Sequence, residues 1–207
     1  MICSKKDLHR FIVNDANSMG ININSKFSAL KSNILNPRWK FIKLLRTCEY
    51  YSNNKNSFIN ALWYQIYLFR YKRLGLKLGF SIPLNVFDEG LSLPHYGTII
   101  VSKNAKIGKN CRVHACVNIG ASGGDPRAPQ IGDNVYIGPG AKLFGNISIE
   151  EGCTIGANAV VNKSVEIPNS IIGGVPAKVL KISSGNWWEK NGLTLKSVEN
   201  ENMVLVN

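Results

Sequence analysis

Several common structural signals are missing from this sequence. Its five cysteines are an odd number and form no C-x-x-C pair, which argues against a disulfide framework or a zinc site and favours a reducing cytoplasm. Carboxylates are not clustered and no nucleotide-binding glycine motif occurs, so we expect no metal site and no dinucleotide fold. The longest apolar stretch, residues 58–69, is interrupted by polar residues and is too short to span a bilayer. The mixed charges of the first ten residues argue against a secretory signal.

Acidic residues are scarce in the first 80 residues. This part holds 14 lysines and arginines against three acids, a net charge of +11, whereas residues 81–207 hold 11 against 10, a net charge of +1. A basic half of this kind can bind nucleic acid, an anionic membrane surface or an acidic substrate. Charge alone selects none of these partners.

Glycine and proline are nearly absent between residues 23 and 78, where Pro37 is the only proline and Gly75 is the first glycine. Apolar residues recur there at three- and four-residue spacing, which predicts helices. In the first helix an apolar face lies beside a basic face that we expect to be solvated: Trp39, Ile42 and Leu45 against Lys40, Lys43 and Arg46.

A second helix is predicted to begin after Ser57, which is placed to cap it. Its apolar set includes Phe58, Leu62, Ile66 and Phe69, and it ends in a basic run. We interpret the whole region as a helical subdomain. The alternative is an interfacial patch, in which aromatic side chains enter lipid headgroups and basic ones meet anionic lipid.

From residue 101 the chain repeats every six residues. Every sixth position from Val101 to Ile167 is aliphatic in eleven of twelve cases, with Asp125 as the exception. Small or branched residues stand four positions further along each repeat. This pattern predicts a parallel β-helix in which three six-residue units close one triangular coil. We therefore expect 18-residue coils that stack Val113 on Ile131.

A β-sandwich of short strands is the competing architecture for this region. Sandwich strands alternate with a period of two and vary in length, so the strict period of six excludes it. Residues 120–130 interrupt the repeat with glycines, prolines and charges, which predicts a loop that leaves the wall between intact coils. Loops on a rigid scaffold often carry binding and catalytic residues.

Two of the three histidines fall in or beside the repeat. His95 stands six residues before Val101, where the repeat calls for an inward aliphatic side chain, so a polar ring there favours a functional role. His114 follows Val113, where glycine is favoured. A neutral imidazole is well suited to take a proton from a hydroxyl at pH 7. Cys116, two residues after His114, is a candidate nucleophile partner for it, although no third group is placed to orient the pair.

Four segments carry a resemblance to a known family: residues 94–98 (Pro-His-Tyr-Gly-Thr), 131–141, 155–159 and 173–178 (Gly-Gly-Val-Pro-Ala-Lys). The stretch from Ile82 to Lys178 resembles the hexapeptide-repeat acyltransferases, closest to the serine acetyltransferase branch and its relatives in surface-polysaccharide synthesis. The resemblance implies a mainly β fold, a left-handed parallel β-helix, here with an N-terminal α-helical subdomain. It also implies a homotrimer that binds acetyl-CoA as co-substrate between neighbouring β-helices.

The same resemblance implies a set of site residues. His95 matches the general base, and His114 is the second catalytic candidate. Arg127, in the loop, is expected to contact the acceptor. The residues expected to contact acetyl-CoA, through the loop, the pantetheine arm or the phosphates, are Gly120, Ala121, Ala141, Ala159, Lys163 and Lys178.

Some positions depart from the serine acetyltransferase pattern. Phe80 and Ser81 stand where a carboxylate would pair with the catalytic histidine, and Pro94 replaces the carboxylate just before it. Ala128 replaces a second histidine beside Arg127. Because those groups recognise the amino acid, we predict a sugar hydroxyl of a surface-polysaccharide precursor as the acceptor.

The sequence therefore predicts an O-acetyltransferase acting on a small-molecule or lipid-linked sugar, in the cytoplasm and in peripheral contact with an anionic inner membrane face, without a nucleic-acid partner. The alternatives are a serine O-acetyltransferase of cysteine biosynthesis and a catalytically silent trimeric scaffold or polyanion binder. The predicted organisation is a basic helical subdomain over residues 1–80, the β-helix over 81–182 and a C-terminal tail over 183–207. Within the tail, residues 203–206 are expected to form a strand or a subunit contact.

Overall fold

The computed structural model describes residues 1–23 and 25–183, so all of the predicted tail except its first residue lies outside the described residues. The helices come first in the chain: α1 (Lys5–Ser18), α2 (Lys26–Leu35), α3 (Pro37–Asn53) and α4 (Phe58–Leu78). Ser57 caps α4 as predicted, since its hydroxyl accepts a hydrogen bond from the Asn60 N–H. Gly79 ends α4 in the left-handed conformation, with φ of 78°.

Short strands follow the helices and wind into a parallel β-helix, as the six-residue period predicts. In the described residues they are β1 (Phe80–Ser81), β2 (Ile99–Val101), β3 (Lys106–Ile107), β4 (Arg112–Val113), β5 (Asn118–Gly120), β6 (Gln130–Ile131), β7 (Tyr136–Ile137), β8 (Lys142–Phe144), β9 (Ser148–Ile149), β10 (Thr154–Ile155), β11 (Val160–Val161), β12 (Ser170–Gly174) and β13 (Ala177–Ile182). They form three sheets in the orders β1-β2-β5-β8-β11, β13-β12-β10-β7-β4 and β3-β6-β9.

The stacking register differs from the prediction on one side of the loop. Val113 pairs with Ile137, and not with Ile131, while Ile131 pairs with Ile149. The coil that contains the loop is therefore 24 residues long and the next is 18. The loop accounts for the difference, because its six extra residues leave the wall and return without shifting the inward aliphatic positions.

The last coil is shorter than the repeat predicts. Val165 bridges to Ile149, sixteen residues earlier, and Ile172 pairs with Ile155. Ile167, predicted to point inward, is instead 48% exposed. The repeat therefore ends before Ile167, and β12 and β13 close the β-helix as an antiparallel hairpin.

One hydrophobic core runs from the helices into the coils. Phe41 of α3 is its junction: its ring lies 5.1 Å from that of Tyr71 in α4 and 5.0 Å from that of Phe80 in β1, between ring centroids. A side chain at Gly75 would meet the Phe80 carbonyl oxygen at 2.9 Å, so only glycine lets α4 approach β1 this closely. The predicted division of the chain at residue 80 stays a prediction.

The prediction that Arg46 lies on a solvated face is wrong. Its side chain is fully buried and donates hydrogen bonds to the carboxylates of Asp15 and Glu49 and to the carbonyl oxygens of Phe87 and Asp88. Two carboxylates and two carbonyls replace the water that a buried guanidinium loses. The network joins α1 and α3 to the first coil.

Candidate active site

His95 lies on the outside of the β-helix, at the corner just before β2. Ser92 bridges to Arg112, which places the fully buried Leu93 beside Val113 and leaves His95 exposed. The expectation that His95 takes an inward aliphatic position is therefore wrong, because Leu93 fills that position. An imidazole at this corner is accessible to a hydroxyl substrate.

The end of α4 holds the segment that carries His95. The Gly97 N–H donates to the Leu78 carbonyl at 2.9 Å, and the Ile99 N–H donates to the Gly79 carbonyl at the same distance. A Cβ atom at Gly79 would lie 3.0 Å from the carbonyl carbon of Gly97. The helix terminus and the His95 segment are thus in direct backbone contact.

His114 is the neighbour of His95. It follows β4, is half-buried, and its ring centroid lies 5.7 Å from that of His95 with the planes at 43°. Its Nε2 accepts a long hydrogen bond of 3.4 Å from the Arg112 Nε, and its ring lies 4.9 Å from that of Tyr136. The structure therefore brings the two predicted catalytic histidines together.

The surroundings of His114 keep its imidazole neutral. Its pKa is lowered from 6.5 to about 4, mainly by burial and also by the nearby Arg112 and His95. Because Nε2 accepts from Arg112, the single proton of the neutral ring belongs on Nδ1. At pH 7 His114 is a neutral hydrogen-bonding group with little capacity to take up a proton.

The loop predicted between intact coils lies between β5 and β6. Gly120 ends β5, Ala121 is exposed, and Ser122 and Asp125 bridge across a tight turn. Arg127 donates to both carboxylate oxygens of Asp125, with the shortest contact at 2.7 Å. The Arg127 charge is thus already paired inside the loop.

The residues predicted along the pantetheine arm and at the phosphates fall into two groups. Ala141 and Ala159 are buried, and their carbonyl oxygens accept coil hydrogen bonds from the N–H groups of Asn118 and Lys142. The phosphate candidates are exposed near the end of the β-helix, where β13 contacts β11. They are Lys163, just after β11, and Lys178, in β13.

Residues 128–163 match the family model described as "Bacterial transferase hexapeptide (six repeats)". The match covers β6 to β11, the coils with the most regular register. Residues 128–163 thus carry the repeat that this family model describes.

Serine acetyltransferases are among the relatives of this hexapeptide-repeat region. One from Mycobacterium tuberculosis is 40% identical over 100 residues, which cover 47% of this chain and 43% of that protein. The chain thus spans less than half the length of this curated relative. The solved structure of the soybean serine acetyltransferase apoenzyme is 26% identical, covers 85% of this chain and 70% of that one, and has a TM-score of 0.64.

A serine acetyltransferase from Brucella abortus, solved in complex with coenzyme A, has a TM-score of 0.69 at 22% identity and covers 87% of this chain and 70% of its own. At that identity the likeness shows the fold. The left-handed parallel β-helix with N-terminal helices, predicted from the repeat and the resemblance, is confirmed.

Two residues that surround His114 were not predicted from the sequence. Arg112 and Tyr136 are partly buried around His114, and they pair with each other in adjacent strands. Arg112 could have been found from its spacing, since it shares an outward face with His114 two residues on. Tyr136 could not, because its position beside Arg112 depends on the 24-residue coil.

Cys116 occupies a coil corner, with φ of 64°, a conformation that asparagine adopts at Asn110, Asn134 and Asn158. The Lys142 ammonium donates to the Cys116 carbonyl oxygen at 2.5 Å. Within the described part of the chain, no hydrogen bond joins the Cys116 thiol to His114. The corner conformation explains why the chain turns here, and nothing in its contacts activates the thiol.

Residues 1–23 and 25–183 contain no group of three or more histidine, cysteine, aspartate or glutamate side chains placed to hold a metal ion. Across the same residues, no helix has the length and apolar character needed to cross a membrane.

Proposed function

We propose that the protein is an acyl-CoA-dependent O-acetyltransferase with L-serine as its acceptor. The observation that carries the proposal is an exposed imidazole, His95, on a β-helix whose relatives are serine acetyltransferases. A serine O-acetyltransferase was the alternative prediction from the sequence. The comparisons favour L-serine over the sugar hydroxyl that was the main prediction.

The chemistry assigned to His95 is general base catalysis. Its imidazole takes the proton of the acceptor hydroxyl, the hydroxyl oxygen bonds to the acetyl carbonyl carbon, and the carbon–sulfur bond breaks. The proton held on His95 then passes to the leaving sulfur, which departs as a thiol. Acetyl-CoA supplies the activated acyl group.

His114 supports this base and does not replace it. Its pKa of about 4 keeps it neutral at pH 7, so it adds no positive charge beside His95. Arg112 fixes its tautomer through the bond to Nε2. We therefore assign proton uptake to His95, and we assign to His114 the role of positioning the His95 ring.

The described residues fit a bound coenzyme A in part. Lys163 and Lys178 are exposed and carry the positive charge that phosphates require. The carbonyls of Ala141 and Ala159 each accept one coil hydrogen bond, so a contact with the pantetheine amides uses the second lone pair. Gly120 and Ala121 border the loop without a bulky side chain.

A homotrimer in the cytoplasm belongs to the same proposal. Ile100 and Ile167 are 43% and 48% exposed on the β-helix, and a neighbouring subunit would cover such apolar side chains. All five cysteines are free, in keeping with a reducing compartment. Sedimentation equilibrium should then give three times the chain mass of 22.8 kDa.

A sugar acceptor is the second candidate, and particular positions favour it. Ser81 and Pro94 stand where the family resemblance implies carboxylates, and Arg127 is paired with Asp125. These features leave few charged groups near His95 to recognise an amino acid. A neutral hydroxyl substrate would need none.

The test is an assay of thiol release from acetyl-CoA with one acceptor at a time. L-Serine, D-serine and a panel of free and nucleotide-linked sugars are compared, and products are identified by mass. The proposal expects stereospecific O-acetylation of L-serine. Turnover with a sugar and none with L-serine would replace the acceptor, whereas no turnover with any acceptor would contradict the enzymatic proposal.

A further inference from the structure

One side of α4 presents large apolar side chains to solvent. Between 40% and 85% of each of these side chains is exposed. From Phe58 to Phe69 they recur at three- and four-residue spacing, and Leu76 lies two turns further along the same helix face. This surface, called the α4 face below, consists of Phe58, Ile59, Leu62, Trp63, Ile66, Phe69 and Leu76. The apolar set named from the sequence, Phe58, Leu62, Ile66 and Phe69, thus lies on the exposed side of α4.

The opposite side of α4 already supplies the core contacts of the helix. Tyr71 and Gly75 are buried, and Tyr67 and Leu68 pack against the same core. The α4 face is thus a second apolar surface that the fold of one chain does not use. Contiguous exposed apolar surface of this kind marks an interaction site.

The charge around the α4 face selects the partner. The helix carries four basic residues in its last turns (Arg70, Lys72, Arg73, Lys77) and no acidic residue. Of the three acids in residues 1–80, Asp15 and Glu49 are buried with Arg46. The surface of this region is strongly positive, so a second copy of the chain would bring like charges together, and an anionic partner would be attracted.

The side-chain chemistry separates lipid from other polyanions. Phenylalanine, tryptophan, leucine and isoleucine in the first turns suit the boundary between headgroups and acyl chains, and basic residues beyond them suit anionic headgroups. A cavity of about 490 Å³ adjoins the same helix and is lined by apolar residues, among them Leu68, Leu76 and Leu84, together with Lys72. Nucleic acid would use the charge but not the aliphatic surface.

We infer that the α4 face docks the protein peripherally on an anionic lipid surface. The inference rests on α4 alone and is independent of the acetyltransferase proposal. The exposed apolar residues enter the interface, and Arg70, Lys72, Arg73 and Lys77 bind the headgroup phosphates.

The test is co-sedimentation of the full chain with vesicles of phosphatidylcholine, with and without phosphatidylglycerol. We expect binding that requires the anionic lipid and weakens as salt is raised. Phe69→Ser should lower the partition coefficient about tenfold through lost apolar burial. The double variant Arg70→Gln/Arg73→Gln should lower it roughly fivefold for each charge removed.

Matched controls are available on the β-helix. Leu180 is 66% exposed against 65% for Phe69, so Leu180→Ser removes an apolar side chain with a similar exposed fraction from the β-helix and should leave binding unchanged. Lys103→Gln/Lys106→Gln is the control for charge. Acetyl-CoA turnover with a soluble acceptor should be the same in all of these variants.

Three results would overturn the inference. One is wild-type protein that ignores anionic vesicles at low salt. Another is a Leu180→Ser variant that loses as much binding as Phe69→Ser. The third is that the wild type does not bind vesicles and that Phe69→Ser forms a smaller oligomer in solution than the wild type does. That result would make the α4 face an interface between copies of the chain.

Discussion

At the scale of single residues, the site rests on two histidines in different environments. His95 is exposed at a coil corner, whereas His114 is half-buried between Arg112 and Tyr136. This contrast divides the roles: the exposed ring is available to substrate, and the buried ring is held neutral. Cys116, nearby in sequence, has no such assignment.

The neutral state of His114 predicts a pH dependence of stability. The folded protein protonates His114 only near pH 4, whereas the unfolded chain protonates it near pH 6.5. Between these values the unfolded state binds the extra proton. The contribution of His114 to the free energy of unfolding is therefore complete above pH 6.5 and is lost as the pH falls towards 4. His114→Gln should lack this loss in urea unfolding at pH 7 and pH 4.5.

The exposed His9 of α1 provides the control, since His9→Gln should follow the wild type at both pH values. If His114→Gln and wild type lose the same free energy of unfolding on acidification, burial does not hold His114 neutral.

Two features of the sequence pointed to His95: its motif and its expected inward position in the repeat. The second of these is wrong. The Pro-His-Tyr-Gly-Thr segment identified the residue, but Leu93 takes the inward position that was assigned to it. The contact between His114 and Arg112 could be predicted from the alternation of side chains along a strand. The contact between His114 and Tyr136 could not, because it depends on how many residues of the loop leave the β-helix wall.

At the scale of elements, the C-terminus of α4 positions the His95 segment. Gly79 is left-handed and lies against Gly97, with two backbone hydrogen bonds across the junction. The helices thus act on the site through the backbone. The helices could be predicted from the spacing of apolar residues and from the capping residues, whereas the contact between Gly79 and Gly97 depends on the tertiary fold.

Gly79→Ala tests the junction. A left-handed alanine costs about 1–2 kcal/mol, and the contact of its Cβ with Gly97 adds roughly 1–3 kcal/mol of overpacking. Gly20→Ala is the matched control, because Gly20 also has positive φ, of 67°, but open space around it. Urea unfolding should show the larger loss for Gly79→Ala, and turnover should fall only in that variant. Equal losses would show that the junction is not tightly packed.

The buried network around Arg46 predicts a second large effect. Arg46→Met leaves the carboxylates of Asp15 and Glu49 buried without their partner, which costs about 3–5 kcal/mol in the free energy of unfolding. Lys40→Met, at an exposed position of the same helix, should change it by less than about 0.5 kcal/mol. A small effect for Arg46→Met would mean that water replaces the guanidinium. This burial could not be predicted from the sequence, because Arg46 continues the helical spacing of Lys40 and Lys43.

At the scale of the whole molecule, the β-helix is a stack whose period survives an insertion. Ile119 and Ile131 are twelve residues apart, two repeats, although residues 121–126 leave the wall. The period of six predicted the fold because every coil buries the same aliphatic positions. Which coil stacks on which was not predictable, since six extra residues are a whole repeat and leave the pattern unbroken.

Deleting residues 121–126 tests this reading of the stack. The deletion leaves Ile131 six residues after Ile119, so the coil shortens from 24 to 18 residues with its inward positions in phase. We expect a folded β-helix whose Tm changes by only a few degrees, as for a surface loop, measured by calorimetry. Deleting three residues, 121–123, breaks the phase and should unfold the adjoining coils. Similar Tm values for the two deletions would contradict the stacking argument.

The turnover of a His95→Ala variant shows whether His95 is the base in acetyl transfer. With acetyl-CoA and the best acceptor, we expect a kcat/KM about 10²–10⁴-fold below wild type, with an unchanged Tm because His95 is exposed. His9→Ala should keep full activity. A His95→Ala variant that turns over as fast as His9→Ala would mean that His95 is not the base.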